Sequence, residues 1–113
     1  MDYPKRGDIF LVNFDPTIGH EIKKSRPALV ITNNINNEYS SVLTVIPLSS
    51  NISKIYPFEV LLPSGNGLEK DSKIMVNQIR TIDKIRLIKK LSTVSRGTLK
   101  KVESAIKLHF DME

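Results

Sequence analysis

The sequence predicts a mainly β protein (α+β), a small and mostly antiparallel β-barrel finished by one C-terminal helix. Three observations lead there. Apolar residues gather in many short runs of strand length, no βαβ alternation separates them, and the hydrophobic period turns helical only after Ser95. A chain of 113 residues has interior enough for one core, so residues 1–113 are read as a single domain.

From Gly7 to Phe14 apolar side chains occupy both alternations, Ile9 and Leu11 on one and Phe10, Val12 and Phe14 on the other, as in a strand covered on both faces. Ala28 to Thr32 and Val42 to Leu48 are runs rich in Val and Ile, bounded by Pro or polar clusters, and read as strands. Between them Asn33-Asn34-Ile35-Asn36-Asn37 is rich in turn-formers and starts a short helix. Phe58, Val60 and Leu62 alternate with Glu59 and Leu61; Ile74 to Ile79 reads as one strand and Leu87 to Leu91 as the last. Ser95 then serves as an N-cap, and Leu99, Val102, Ile106 and Phe110 recur at helical spacing, one apolar stripe for the sheet. Three polar connections are unusually long for a compact domain: Asp15 to Arg26, Ser49 to Tyr56 and Pro63 to Asp71. Loops of that length are functional more often than short ones.

Composition narrows the chemistry. Hydrophobic residues are 40% and charged residues 26%, a globular balance. The absence of cysteine excludes disulfides and thiolate metal sites and suits a reducing compartment. His20 and His109 have no ligand spacing, and Asp8, Asp15, Glu21, Glu38, Glu59, Glu69, Asp71 and Asp83 form no tight ligand set, so neither a metal nor another cofactor is expected. Charged, turn-forming residues open the chain and no apolar run reaches membrane length, so a cytoplasmic protein without membrane contact is expected. No nucleophile elbow, phosphate-binding glycine loop or dinucleotide fingerprint occurs. What remains is a net charge of +5, which favours polyanions: nucleic acid, an anionic membrane or an acidic protein segment.

The first long loop, Asp15 to Pro27, is dense in acid–base groups. Arg26 is the most informative of them. Pro27 restricts it to an extended conformation at a loop-to-strand junction, where a guanidinium clamps a phosphate bidentately or, alternatively, pairs with a nearby carboxylate as a surface arginine. Glu21, beside Lys23, Lys24 and Arg26, stays ionised and reads either as a general base or as a solvated loop acid. His20 has the right intrinsic pKa for proton transfer, although a lone loop histidine is more often a surface group. Ser49, where the third strand meets its loop, donates a hydrogen bond to a phosphoryl oxygen in one reading and is an ordinary turn serine in the other.

In order along the chain, Lys5-Arg6-Gly7-Asp8-Ile9, Asp15-Pro16, Gly19-His20-Glu21, Ser25-Arg26-Pro27-Ala28-Leu29-Val30-Ile31 and Gln78-Ile79-Arg80-Thr81-Ile82-Asp83 resemble the MazF/PemK toxin family, and the likeness covers nearly the whole chain. The resemblance implies an SH3-like barrel of the plasmid-maintenance-toxin kind. It further implies a homodimer and the toxin of a type II toxin-antitoxin system, a growth regulator. Its activity would be that of a sequence-specific, metal-independent endoribonuclease (mRNA interferase). Single-stranded RNA would be cut by its own 2′-hydroxyl, leaving a 2′,3′-cyclic phosphate and a 5′-hydroxyl. By the same resemblance Arg26 handles the scissile phosphate, Ser49 stands where chromosomal members usually carry threonine, and Glu21 matches the proposed base. His20 matches a loop histidine of a plasmid-borne branch, but the arginine and aspartate that branch uses are replaced here by Met75 and Asn77. Lys23, Lys24, Asn77, Gln78 and Arg80 are read as RNA contacts, Gln78 and Arg80 alternatively as sheet-edge or dimer scaffold. The expected protein partner is an antitoxin with an acidic, initially disordered segment that folds across the RNA groove. Two other readings stay open: a gyrase-poisoning toxin of the same fold, and an RNA-binding barrel without chemistry. The His109-Phe110-Asp111-Met112-Glu113 ending does not resemble the Trp-Gly-Ile ending of the gyrase group.

Overall fold

The computed structural model describes residues 2–14 and 25–113. Among these described residues seven strands and two helices follow in the order β1 (Asp8–Asn13), β2 (Ser25–Val30), α1 (Asn34–Tyr39), β3 (Val42–Ser49), β4 (Glu59–Leu62), β5 (Ser72–Met75), β6 (Arg80–Asp83), β7 (Leu87–Thr93) and α2 (Arg96–His109). Short 3₁₀ turns at Val76–Gln78 and Lys84–Arg86 follow β5 and β6. Both helices carry the caps their sequences offer. The Asn33 side chain accepts from the Asn36 amide at 2.9 Å, and Ser95 Oγ accepts from the Thr98 amide at 3.1 Å.

Every ladder is antiparallel, and the strands run β4-β5-β3-β2-β1-β7, with β6 also paired to β3. One edge of β3 is shared end to end: β6 pairs with Val42 to Val45, and β5 pairs with Leu48 and Ser49. This division corrects the single strand expected over Ile74 to Ile79. Val76, wholly buried, anchors a 3₁₀ turn that steps the chain from one half of the β3 edge to the other. Among the described residues no ladder joins β4 to β7. A close approach substitutes for it. Gly67, in the loop between β4 and β5, sits so tightly on the Leu91 carbonyl of β7 that a Cβ there would lie 1.9 Å from the oxygen, and its φ of +102° is one that L side chains rarely adopt.

Alternation along the strands builds two cores, as the double apolar pattern of the first strand predicts. Ile9, Leu29, Ile46, Leu48 and Ile74 pack with Val102 and Ala105 of α2. Val12, Ala28, Val30, Leu43, Val45 and Ile82 form the second cluster, with Phe10, Phe14 and Leu87 against it. Each fully buried Val, Leu or Ile contributes about 1.5–3 kcal/mol relative to exposure. The stripe of α2 differs from expectation at its end: Ala105 is buried, whereas Phe110, the C-cap, is half exposed at 52%.

Candidate active site

β2 is described from Ser25, so Arg26 is the second residue of the strand, registered with Val12 of β1. The ladder from β2 to β3 starts only at Ala28 opposite Pro47. Proline has no amide to donate, and Pro27 and Pro47 lie where that ladder stops. Two further steps along the same register, beyond the last β2–β3 pair, stand Arg26, paired to Val12 of β1, and Ser49, paired to Lys73 of β5. The space between them is a cleft of about 630 Å³ lined by Arg26, Pro27, Ser49, Ser50 and Asn51, and across from them by Glu69, Lys70 and Lys89.

Arg26 is half-buried, and among the described residues its guanidinium has no hydrogen-bond or ion-pair partner. Ser49 Oγ accepts from the Asn51 amide at 3.1 Å, which fixes the hydroxyl and leaves its proton to donate into the cleft. Asn51 Oδ1 in turn accepts from Ser53 Oγ at 2.8 Å and from the Ser53 amide at 3.3 Å, so the loop after β3 turns back on itself. Farther along, Lys73 and Glu59 make a largely buried ion pair at 3.1 Å; Lys73 Nζ also donates to the Lys54 carbonyl at 2.8 Å, and Glu59 accepts from the Tyr56 amide at 2.9 Å. That pair ties the loop of residues 49–58 to the sheet.

Of the residues singled out in the sequence, the fold brings Arg26 and Ser49 into one cleft. Glu21, His20, Lys23 and Lys24 lie outside the described residues. Asn77 and Gln78 are exposed on the 3₁₀ turn and do not line this cleft. Arg80 does not line it either; its guanidinium lies over the Phe14 ring at 5.2 Å, at the residue preceding the undescribed stretch. Sequence reasoning missed Glu69, Lys70 and Lys89. A signal existed in the Gly67-Leu68-Glu69-Lys70 sequence of the third long loop, but only the contact of Gly67 with β7 shows which strand those charges face. Among the described residues no three His, Asp or Glu side chains converge as metal ligands, and no helix is long and apolar enough to cross a membrane.

Residues 5–110 match the model of a family described as PemK-like, MazF-like toxin of type II toxin-antitoxin system. Endoribonuclease MazF9 of Mycobacterium tuberculosis is 40% identical, with 96% of this chain and 97% of that protein covered. Endoribonuclease EndoA of Bacillus subtilis is 37% identical over 92% and 91% respectively. Among solved structures, MazF from Deinococcus radiodurans superposes with a TM-score of 0.82 at 28% identity, covering 99% of this chain and 100% of that one. A MazE-MazF structure from the same organism gives a TM-score of 0.82 at 28% identity, with 100% of both chains covered.

Proposed function

The chain belongs to the PemK-like, MazF-like family of type II toxin-antitoxin toxins, and from that premise we propose that it acts as one toxin domain, an endoribonuclease that cuts single-stranded RNA without a metal. The observation that carries the reading is the shared cleft that Arg26 and Ser49 both line, with no hydrogen-bond or ion-pair partner for the Arg26 guanidinium among the described residues. The relatives named above are endoribonucleases, which favours cleavage over gyrase poisoning or passive RNA binding.

In this reaction the 2′-oxygen attacks the adjacent phosphorus, the bond to the 5′-oxygen breaks, and negative charge gathers on the phosphoryl oxygens in between. Arg26 meets that charge with a forked, permanently protonated group, and Ser49 donates one hydrogen bond to a phosphoryl oxygen. Glu21 takes the proton of the 2′-hydroxyl in the simplest assignment, with His20 as the other candidate, and a protonated group returns one to the departing 5′-oxygen. The products are a 2′,3′-cyclic phosphate and a 5′-hydroxyl. Lys23, Lys24, Asn77, Gln78 and Arg80 remain candidates for holding RNA beyond the cleft. The reading carries with it a homodimer, an antitoxin whose acidic segment competes for the positive groove, and a cytoplasmic site of action. The MazE-MazF structure of the Deinococcus radiodurans relative supports the antitoxin part.

Incubating the purified chain with a single-stranded RNA oligonucleotide in EDTA tests the proposal. Fragments ending in cyclic phosphate, formed at a rate that magnesium does not change, are expected. RNA left intact in EDTA and cut once magnesium is added would overturn it.

A further inference from the structure

We infer that Lys70 and Lys89 form a second phosphate-binding subsite in the cleft of Arg26 and Ser49, gripping the RNA strand away from the bond that is cut. The inference deepens the RNA-cleavage reading and rests on it. Lys70 comes from the loop before β5 and Lys89 from β7, yet both line the same 630 Å³ space as Arg26. Neither ammonium has a hydrogen-bond or ion-pair partner among the described residues. Lys73 and Lys90, close to them in sequence, are instead paired with Glu59 at 3.1 Å and with Asp8 at 3.4 Å. Among the described residues the cleft is therefore lined by three cationic residues, Arg26, Lys70 and Lys89, and one carboxylate, Glu69, a balance suited to a polyanion.

The juxtaposition is built into the fold. Gly67 rests on the Leu91 carbonyl, two residues beyond Lys89 and on the same side of β7, with no room for a Cβ. That contact brings Leu68-Glu69-Lys70 over the strand. Lys89 registers with Leu11, and Leu11 registers with Pro27, which places the backbone of Lys89 two strands, roughly 10 Å, from that of Pro27 beside Arg26. Even a stacked strand presents a phosphate about every 3.4 Å of its axis, so a span of that length carries more than one. Arg26 takes the scissile phosphate, and the two lysines take a neighbour.

Equilibrium binding of an RNA oligonucleotide with a 2′-deoxy substitution at the cleaved position, titrated against salt, tests this. Log K falls as log salt rises, and each phosphate contact to a single strand adds about 0.7 to the magnitude of that negative slope. Lys89→Gln should reduce the magnitude of the slope by about 0.7 and weaken binding about 2- to 5-fold, and the Lys70→Gln, Lys89→Gln double variant should reduce that magnitude by about 1.4. Single-turnover cleavage at saturating enzyme should fall far less than it does on loss of Arg26. Lys100→Gln, an equal loss of charge on the exposed surface of α2, should move the slope much less. A slope shared by wild type and the double variant, in a protein that still folds and cleaves RNA, overturns the subsite and leaves the cleavage reading standing. The same is true if the lysine variants lose affinity only for an acidic peptide. A wild type that neither binds nor cuts RNA instead overturns the cleavage reading, and the subsite with it.

Discussion

The Lys5 to Asp8 segment and the cleft at Arg26 and Ser49 both lie in stretches where the sequence resembles its family, yet their polar groups are used in opposite ways. Arg6 is consumed by the fold: its Nε donates to the Ile31 carbonyl at 3.0 Å, Nη2 pairs with Glu103 of α2 at 2.8 Å, and its amide donates to Asn34 at 2.7 Å. Asp8, 4% exposed, accepts from the Lys5 amide at 2.9 Å and Thr93 Oγ1 at 3.1 Å, and pairs with Lys90. Gly7, at φ +101°, connects the Val30 carbonyl and the Val94 amide. Arg26 has no such partner among the described residues. A matching motif thus marks a constrained residue without saying whether fold or chemistry constrains it; the partners of the side chain distinguish the two.

The largest expected effect follows from that contrast. Arg26→Ala should keep its secondary structure and melting temperature, because among the described residues the guanidinium has no hydrogen bond or ion pair to lose, while single-turnover cleavage falls on the order of 10²- to 10³-fold, about 3–4 kcal/mol. Arg26→Lys should recover part of the loss, since an ammonium keeps the charge without the fork. Full-rate cleavage by a folded Arg26→Ala protein would erase the distinction between the two regions.

Asp8→Ala should behave in the reverse manner. It leaves the Lys5 amide and the Thr93 hydroxyl without their acceptor, which costs about 2 kcal/mol, or roughly 10 °C in Tm. Cleavage per folded molecule should stay near wild type. Thermal denaturation followed by circular dichroism, with activity measured well below the transition, separates the two terms. A normal Tm with lost activity would move Asp8 to the chemical side.

How much of this was legible beforehand depended on whether the information was local. The strands of the first half read correctly because strands covered on both faces carry apolar residues on both alternations, as at Ile9 to Phe14, and the caps at Asn33 and Ser95 are chosen by one side chain each. The break at Val76 was hidden because Ile74, Val76 and Ile79 recur through β5 and the turn with no Gly or Pro between them, and only the divided edge of β3 dictates the step. Arg26 and Ser49 stood out through a proline and a strand end. Lys70 and Lys89 are ordinary lysines until Gly67 meets Leu91, a contact no local pattern announces.

The smallest effect, and the finest probe of the cleft, is at Ser49. Its hydroxyl is held by the Asn51 amide at 3.1 Å, so the oxygen is already positioned and the proton is what remains for the phosphoryl oxygen. Ser49→Ala removes one neutral hydrogen bond to a charged group, and the single-turnover rate should fall about 10-fold, well short of the loss at Arg26. Ser49→Thr keeps the hydroxyl and adds a methyl that restricts χ1. Pro47 and Leu48 before it are buried, whereas Ser49 is half-buried and Ser50 exposed, so the methyl has an open side to occupy. The Thr variant should therefore cleave at the wild-type rate or slightly faster, with unchanged stability. If Ser49→Thr instead cleaved as slowly as Ser49→Ala while keeping its Tm, the hydroxyl would have to be working from a rotamer that threonine cannot adopt in this strand, and the Asn51 contact would be a competitor of the phosphate rather than its support.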